Sequence, residues 1–531
     1  MLTETIPGAI VIVPPLLVLT CAIITRRVLA SLVLGIVAAS AIFCSYSPIA
    51  MAGHIGETLY AILSSPSKIY LFSFLAAMGT LIELMTHSGG ITAYTKFLRR
   101  FIKTERTAQA TSVVLSNTLF LDDYLNGLVT GSIMRPLTDS FKIPRIKLAY
   151  LLNSMCSPLG ILVPATTWTA LILGLFQTAG ITEISGPGQV FAADQFITFL
   201  SVIPFIFYPI FTIFSVWLII LKPISFGLMR KHEQIAQKTG NLFGGATPPT
   251  GFETIETHGG SMAHFILPMG TFLITLVLAI LFLGNSVLLG GANGFIATLN
   301  ADPNLILKSL LCASLFSLGA LNALLWREGR FSVTNLFHAA LKGLMLMKNS
   351  ILVLTLAFTL GEILEQLRTG VYIALLIKAS LPLFLLPLLV FALATITTAS
   401  TGSSWGALSI LMPVTLSTLA SLATGMPPFA LFAVPAFFPT LGGLLAGSVA
   451  GAHISPITDA TVVAAMSARA NHLEHVRSQI SYSIPAIIGA CIALLISGLT
   501  YTWHPGLTLV CALSAGIAIT AAGLLWRNQE A

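Results

Sequence analysis

Apolar runs of roughly 18–25 residues recur along the whole chain, and this constrains the fold more than any single motif. Candidate spans are 7–24, 28–44, 69–87, 149–178, 197–221, 264–289, 306–326, 349–366, 371–396, 428–449, 482–499 and 503–526, and two further segments, 108–134 and 400–421, are apolar but interrupted. Only 8% of the 531 residues are charged and 56% are apolar. A soluble chain carries about 25% charge to keep its surface in water. The pattern predicts an all-α, polytopic membrane protein, because a barrel would show short alternating segments instead.

The net charge of +7 does not point to nucleic acid, since the bases gather in short stretches between apolar runs. Cys21, Cys44, Cys156, Cys312, Cys491 and Cys511 lie far apart, with neither metal spacing nor a disulfide framework. The first bases, Arg26 and Arg27, follow the first apolar run, so 7–24 is expected to be a retained helix.

Basic loops assign the faces. Arg26 and Arg27 follow the first span, and Lys96, Arg99, Arg100, Lys103 and Arg106 follow the third, so both groups fall on one, cytoplasmic side. Segment 108–134 then breaks the count, because Arg135, Lys142, Arg145 and Lys147 come directly after it. A re-entrant hairpin turning near 119–127 keeps those bases inside, and an unwound crossing helix is the alternative. Lys222, Arg230, Lys231 and Lys238 again fall inside. Residues 222–262, with Gly244, Gly245, Pro248, Pro249 and Gly251, read as a cytoplasmic linker between halves 1–221 and 263–531, and 332–347 read as an amphipathic surface helix.

The second half carries a comparable break, TTASTGSSWGALSILMPV at 397–414. Each half also has a later polar patch containing Ser-Pro, at Ser157–Pro158 and at Ser455–Pro456. Interrupted segments at matching positions of two halves point to a transporter's binding site, where free helix ends meet ions. The echo is short and leaves an internal repeat open.

Asp122 and Asp123 sit side by side in one of these breaks. A carboxylate central in an isolated membrane helix costs about 2.5–3.5 kcal/mol on insertion scales, which a cavity holding cations or protons offsets. Capping of the following helix is the alternative role, and the two can coexist. Tyr124 and Asn126 offer further oxygens. Arg135 and Asp139 have the spacing of a helical ion pair, or dock the hairpin. His453 and Asp459 bracket the second Ser-Pro and suit proton-coupled exchange, or form an exposed loop pair. NHLEHVR at 471–477 lacks a zinc arrangement and reads as a polar cytoplasmic segment. Glu83 is spaced to pair with His87, and Glu362 and Glu365 sit near a helix end.

The stretches 117–154, 397–414 and 451–482, with DDYLN, RPLTD, TGSSWG and H-x-S-P-x-x-D in order, resemble the NhaC-like family of sodium/proton antiporters over roughly residues 70–485. The resemblance implies a multi-helix bacterial inner-membrane carrier that exchanges Na⁺ for H⁺, while relatives couple cations to small carboxylates or amino acids. The family's positions fall on Asp122, Asp123 and Asn126, on Arg135 and Asp139, on Thr401, Gly402, Ser404 and Trp405, and on His453, Ser455, Pro456 and Asp459. Where members commonly have Gly-Asp-His, this chain reads Gly451-Ala452-His453, which removes one possible cation ligand.

The expectation is therefore a secondary transporter of two inverted-topology halves with re-entrant or broken helices, and not an enzyme. Cation binding or coupling falls to Asp122, Asp123, Asn126, Thr401, Ser403, Ser404, Ser455 and Asp459, and charge balance or gating to Arg135, Asp139 and His453. Expected partners are a sodium ion, a proton and membrane lipid, with no cofactor and no nucleic acid. A small organic anion or amino acid as solute, and a homodimer, stay open.

Overall fold

Without water in a bilayer core, backbone groups must pair within their own segment, and the chain is helical almost throughout. The computed structural model describes residues 8–529 apart from 26, 183–188, 247–259, 295–297, 299–301, 303, 370, 373–381 and 424–426. Among these residues eight helices are long and apolar enough to cross a membrane, and two bent pairs raise the total to ten.

Helices α1 (Val13–Thr25) and α2 (Val28–Phe43) pack together, followed by α3 (Pro48–Ser64), the crossing helix α4 (Pro66–His87) and the short α5 (Gly90–Leu98). The next pair, α6 (Glu105–Thr118) and α7 (Asp123–Ser140), is a hairpin. Both its ends lie beside the start of α8 (Arg145–Leu162): Lys147 reaches Glu105 at 3.9 Å and Arg145 reaches Asp139 at 2.7 Å. The chain thus enters and leaves at the basic face, which is the re-entrant form of segment 108–134.

The span expected at 149–178 is two helices, α8 and α9 (Thr167–Thr178), bent by 44° across four residues. Then α10 (Gln195–Val202) and α11 (Phe207–Leu221) return with a 52° bend, and α12 (Gly227–Thr239) follows. Helices α13 (Ala263–Leu283) and α14 (Leu305–Arg327) pack as a pair, tied by the Ser317 hydroxyl donating to the Pro268 carbonyl at 2.6 Å.

Residues 332–347 are not a separate surface helix but the first half of α15 (Val333–Gln366), 34 residues without a break. Gly343 does not interrupt it, because it seats α15 against α4: a Cβ on Gly79 would lie 2.3 Å from the Gly343 carbonyl oxygen.

A second hairpin follows, α16 (Leu386–Thr401) and α17 (Ser404–Leu422), then α18 (Phe437–Ile454), α19 (Asp459–Ala468), α20 (His472–Leu499) and α21 (Pro505–Gln529). Of the span expected at 371–396, residues 373–381 lie outside the described ones, and 386–396 enter this hairpin. Gly443, Gly447 and Gly451 bring α18 onto the α16 backbone: added Cβ atoms would stand 2.5, 2.4 and 2.4 Å from the carbonyl oxygens of Pro387, Phe391 and Thr395. Four residues on one helix match four on the other, so the two run parallel in a small-residue packing. Arm α17 turns back, from Ser404 beside Ser448 to Pro413 beside Gly361, and reaches a cavity shared with Thr178 at the end of α9.

The same unit therefore occurs twice, a hairpin followed by a broken helix, once entering from the basic face and once from the opposite face. The return arm of each hairpin packs on the second piece of the other unit's broken helix, α7 on α19 and α17 on α9. Two inverted-topology halves are the result.

Candidate functional site

The first break is built by a threonine. After α8 ends at Leu162, Thr166 accepts the Thr169 amide at 3.2 Å and donates its hydroxyl to the Gly160 carbonyl at 2.7 Å. One side chain thus starts α9 and satisfies a carbonyl left free at the end of α8.

The tip of the first hairpin sits on this break. The Thr167 amide donates to the Leu121 carbonyl at 3.1 Å, and its hydroxyl donates to Asp122 Oδ2 at 3.2 Å. Ser157, on the other side of the break, donates to Asp123 Oδ2 at 3.2 Å. Asp122 is only 4% exposed and Asp123 is partly buried. Asn126 closes the hairpin, donating to the Ser116 carbonyl at 2.9 Å and accepting the Thr130 hydroxyl at 3.1 Å. The side chain of Tyr124 lies outside the described residues.

The second break repeats the first. Thr458 donates to the Ala452 carbonyl at 2.7 Å and lies 2.9 Å from the Thr461 hydroxyl. Around both breaks the sequence reads Pro-x-Thr-x-x-Thr, at Pro164–Thr169 and Pro456–Thr461. The tip of the second hairpin sits here. Ser455 donates to the Ala399 carbonyl at 2.7 Å, and Gly402 turns the chain with φ +76°, where a Cβ would stand 2.7 Å from the Ile457 carbonyl oxygen. Ser403 caps α17 through the Gly406 amide at 3.0 Å, Thr401 donates to Thr397 and Ser404 to Ser448. The Asp459 side chain lies outside the described residues, and its backbone opens α19.

Three contacts join the halves near these breaks. Asn153 donates to the Thr461 hydroxyl at 3.4 Å, Tyr208 meets His453 Nδ1 at 2.8 Å, and Trp168 packs edge-on to Trp405 at 6.2 Å between ring centres. Two carboxylates, several hydroxyls and free helix ends are hard-oxygen chemistry, suited to a small cation or a proton, while the amide ends of α9 and α19 favour an anion. Among the described residues no three His, Cys, Asp or Glu side chains group as a metal site.

The expected residues thus fall into two constellations. Asp122, Asp123 and Asn126 gather at the first break, and Thr401, Ser403, Ser404 and Ser455 at the second. Arg135 and Asp139 lie at the basic end of the hairpin and do not form the expected pair. Asp139 takes Arg145 instead, because α8 begins beside it, while Arg135 donates to the Ser467 carbonyl at 3.4 Å and Arg145 to that of Ala468 at 2.8 Å. Both arginines thereby dock the hairpin on the C-terminus of α19. His453 is fully buried on α18 rather than part of an exposed loop. Glu83 pairs with Lys342 at 3.4 Å. The Ser-Pro echo was out of register: Pro158 lies inside α8, whereas Pro456 lies in the break. Sequence reasoning passed over Thr167, Asn153, Thr461 and Tyr208; the repeated Pro-x-Thr-x-x-Thr was an available signal for Thr461, and Thr167 stands at one of its variable positions.

The model of the Na⁺/H⁺ antiporter family matches residues 161–499, a stretch that begins after the first hairpin. An uncharacterized protein of Haemophilus influenzae is 29% identical over 522 residues, which cover 97% of this chain and 93% of that protein. Two solved structures share the fold. The YdaH transporter of Alcanivorax borkumensis has a TM-score of 0.52 at 14% identity, over 86% of this chain and 90% of that one. MtrF of Neisseria gonorrhoeae, described with a class of antimetabolite efflux pumps, has a TM-score of 0.52 at 15% identity, over 84% and 83%.

Proposed function

Because the chain belongs to the Na⁺/H⁺ antiporter family and is a secondary transporter, we propose that it exchanges sodium for protons across the cytoplasmic membrane, with Asp122 and Asp123 as the shared site. One observation supports this most: the paired acids take hydroxyls from both sides of one helix break, Ser157 before it and Thr167 after it. A sodium ion there draws on carboxylate and hydroxyl oxygens, and protonation of an acid removes the charge that holds it, so the two ions exclude each other. Asn126 holds the hairpin tip in shape. Thr401, Ser403, Ser404, Ser455 and Asp459 serve the second break as cation or coupling groups, and Arg135, Asp139 and His453 balance charge or gate the movement.

The amide ends of α9 and α19, which face the breaks, favour a second reading, cation-coupled movement of a small carboxylate or amino acid. Reconstituted vesicles separate the two. A sodium gradient that moves protons without added solute supports exchange, and a strict requirement for an organic solute supports the second reading.

A further inference from the structure

The cation site leaves a second set of buried polar groups unused, on α8, α18 and α20. His475 is fully buried, and neither ring nitrogen has a hydrogen-bond partner among the described residues. It lies within electrostatic reach of His472 and of His453. One turn on, Gln479 donates to Ser154 Oγ at 3.0 Å and to Ser483 Oγ at 3.3 Å, while its Oε1 has no partner. Asn153 Oδ1, Ser478 Oγ and His453 Nε2 are also buried at no hydrogen-bond geometry, although the Asn153 backbone lies near the His453 ring.

So many unpaired polar atoms on three touching helices exceed what a packed interior carries without compensation, and buried water is what ordinarily pairs them. Spacing supports a path. His472, His475, Gln479 and Ser483 recur every three or four residues and so lie along one face of α20. Tyr208 bonds to His453, Asn153 bonds to Thr461, and Ser157, one turn beyond Asn153 on α8, bonds to Asp123.

We propose that α8, α18 and α20 enclose a hydrated proton route, running from His472 through His475 and Gln479 to His453 and on to Asp123, distinct from the path of the metal cation. This rests on the exchange reading above. Imidazole, hydroxyl, phenol and water each donate and accept at the same atom or ring, so they pass a proton while keeping their own count, and the Gln479 and Asn153 amides orient the water between them without carrying the proton. His475 takes one at one ring nitrogen, releases one from the other and then returns to its first tautomer. The members named carry no carboxylate before Asp123, so the route offers a sodium ion no anionic ligand. The titratable groups acting on His475 are His472 and His453; Tyr208 bonds to His453, Tyr150 packs on Tyr482 along the neighbouring helices, and the His232–Glu474 pair lies at the basic end.

The test uses the full-length protein in vesicles, with sodium-driven proton movement followed by an internal pH dye and sodium affinity measured by calorimetry. His475→Leu is expected to slow proton movement about tenfold or more, with partial recovery on adding free imidazole, and to leave sodium affinity within about twofold. Gln479→Leu, which keeps both rings, is expected to act in the same direction and stands in if the first variant does not fold. Proton movement within about twofold of the unaltered protein, or an equal fall in sodium affinity, overturns the route. If the unaltered protein moves no protons with sodium, the exchange reading fails, and hydroxyl-radical footprinting then judges the route alone. Labelling of His475 and Tyr208 by water radiolysis supports it, and their protection overturns it.

Discussion

Thr166 and Thr458 hold equivalent corners of the two halves, each donating its hydroxyl over 2.7 Å to the carbonyl six residues before it, Gly160 in one case and Ala452 in the other. A helix that stops in an apolar interior leaves amides and carbonyls bare; each threonine satisfies one carbonyl, and Thr166 also accepts an amide of the helix that follows. The broken helices persist because this corner is built into both.

Thr166→Val and Thr458→Val keep the shape and delete the hydroxyl. Each is expected to destabilise the protein by about 1–2 kcal/mol, the range for a buried carbonyl left unpaired, to which Thr166→Val adds the lost cap of α9. Thermal unfolding of the purified protein checks this, with Thr→Ser at either position expected to stay near the original midpoint.

Gly447 sits where α18 crosses the backbone of α16, with space for no further atom on that side. Gly447→Val forces the helices apart and is expected to cost about 1–3 kcal/mol or more, seen as a lower midpoint and poor yield. Gly319, whose added Cβ would meet nothing within 4 Å, is the control, since Gly319→Ala leaves both unchanged.

His232 on α12, outside the spanning helices, gives a pH prediction. Burial lowers its pKa from the ordinary 6.5, with Glu474 at 3.5 Å pulling the other way and Lys231 adding to the lowering. The unfolded chain therefore binds a proton more readily than the folded one. Stability from this residue is full above pH 6.5 and falls as pH drops below it toward the folded value. Unfolding midpoints between pH 7.5 and 5, about one unit either side of the transition, are expected to show a smaller decline in His232→Gln than in the original protein.

Much of the architecture was legible in the sequence, because apolar runs and basic loops report directly on burial and on sidedness. The first hairpin followed from Arg135, Lys142, Arg145 and Lys147 coming too soon after 108–134, and Asp122 and Asp123 stood out because acids are scarce in such surroundings. What stayed hidden was pairing. Thr167 and Ser157 are ordinary hydroxyls in apolar helices until the hairpin tip is laid against them. Arg145, ten residues from Arg135, takes Asp139 because a turn brings the start of α8 beside it, and helical spacing within α7 does not carry that information. The continuity of α15 was obscured because the amphipathic stretch 332–347 and the apolar run 349–366 differ in pattern and so read as two elements. Ser-Pro drew attention away from the true repeat, since proline is tolerated inside α8 at Pro158 but marks the break at Pro456.

The central claim is that Asp122 and Asp123 hold a metal cation and a proton in alternation beside the first break. It is tested most directly by sodium affinity and sodium-driven proton movement in reconstituted vesicles, comparing Asp122→Asn and Asp123→Asn with the unaltered protein. Loss of one charged ligand, worth about 1.5–3 kcal/mol, weakens sodium binding about 10- to 100-fold and uncouples the proton. Both variants keeping the original affinity and coupling would contradict it.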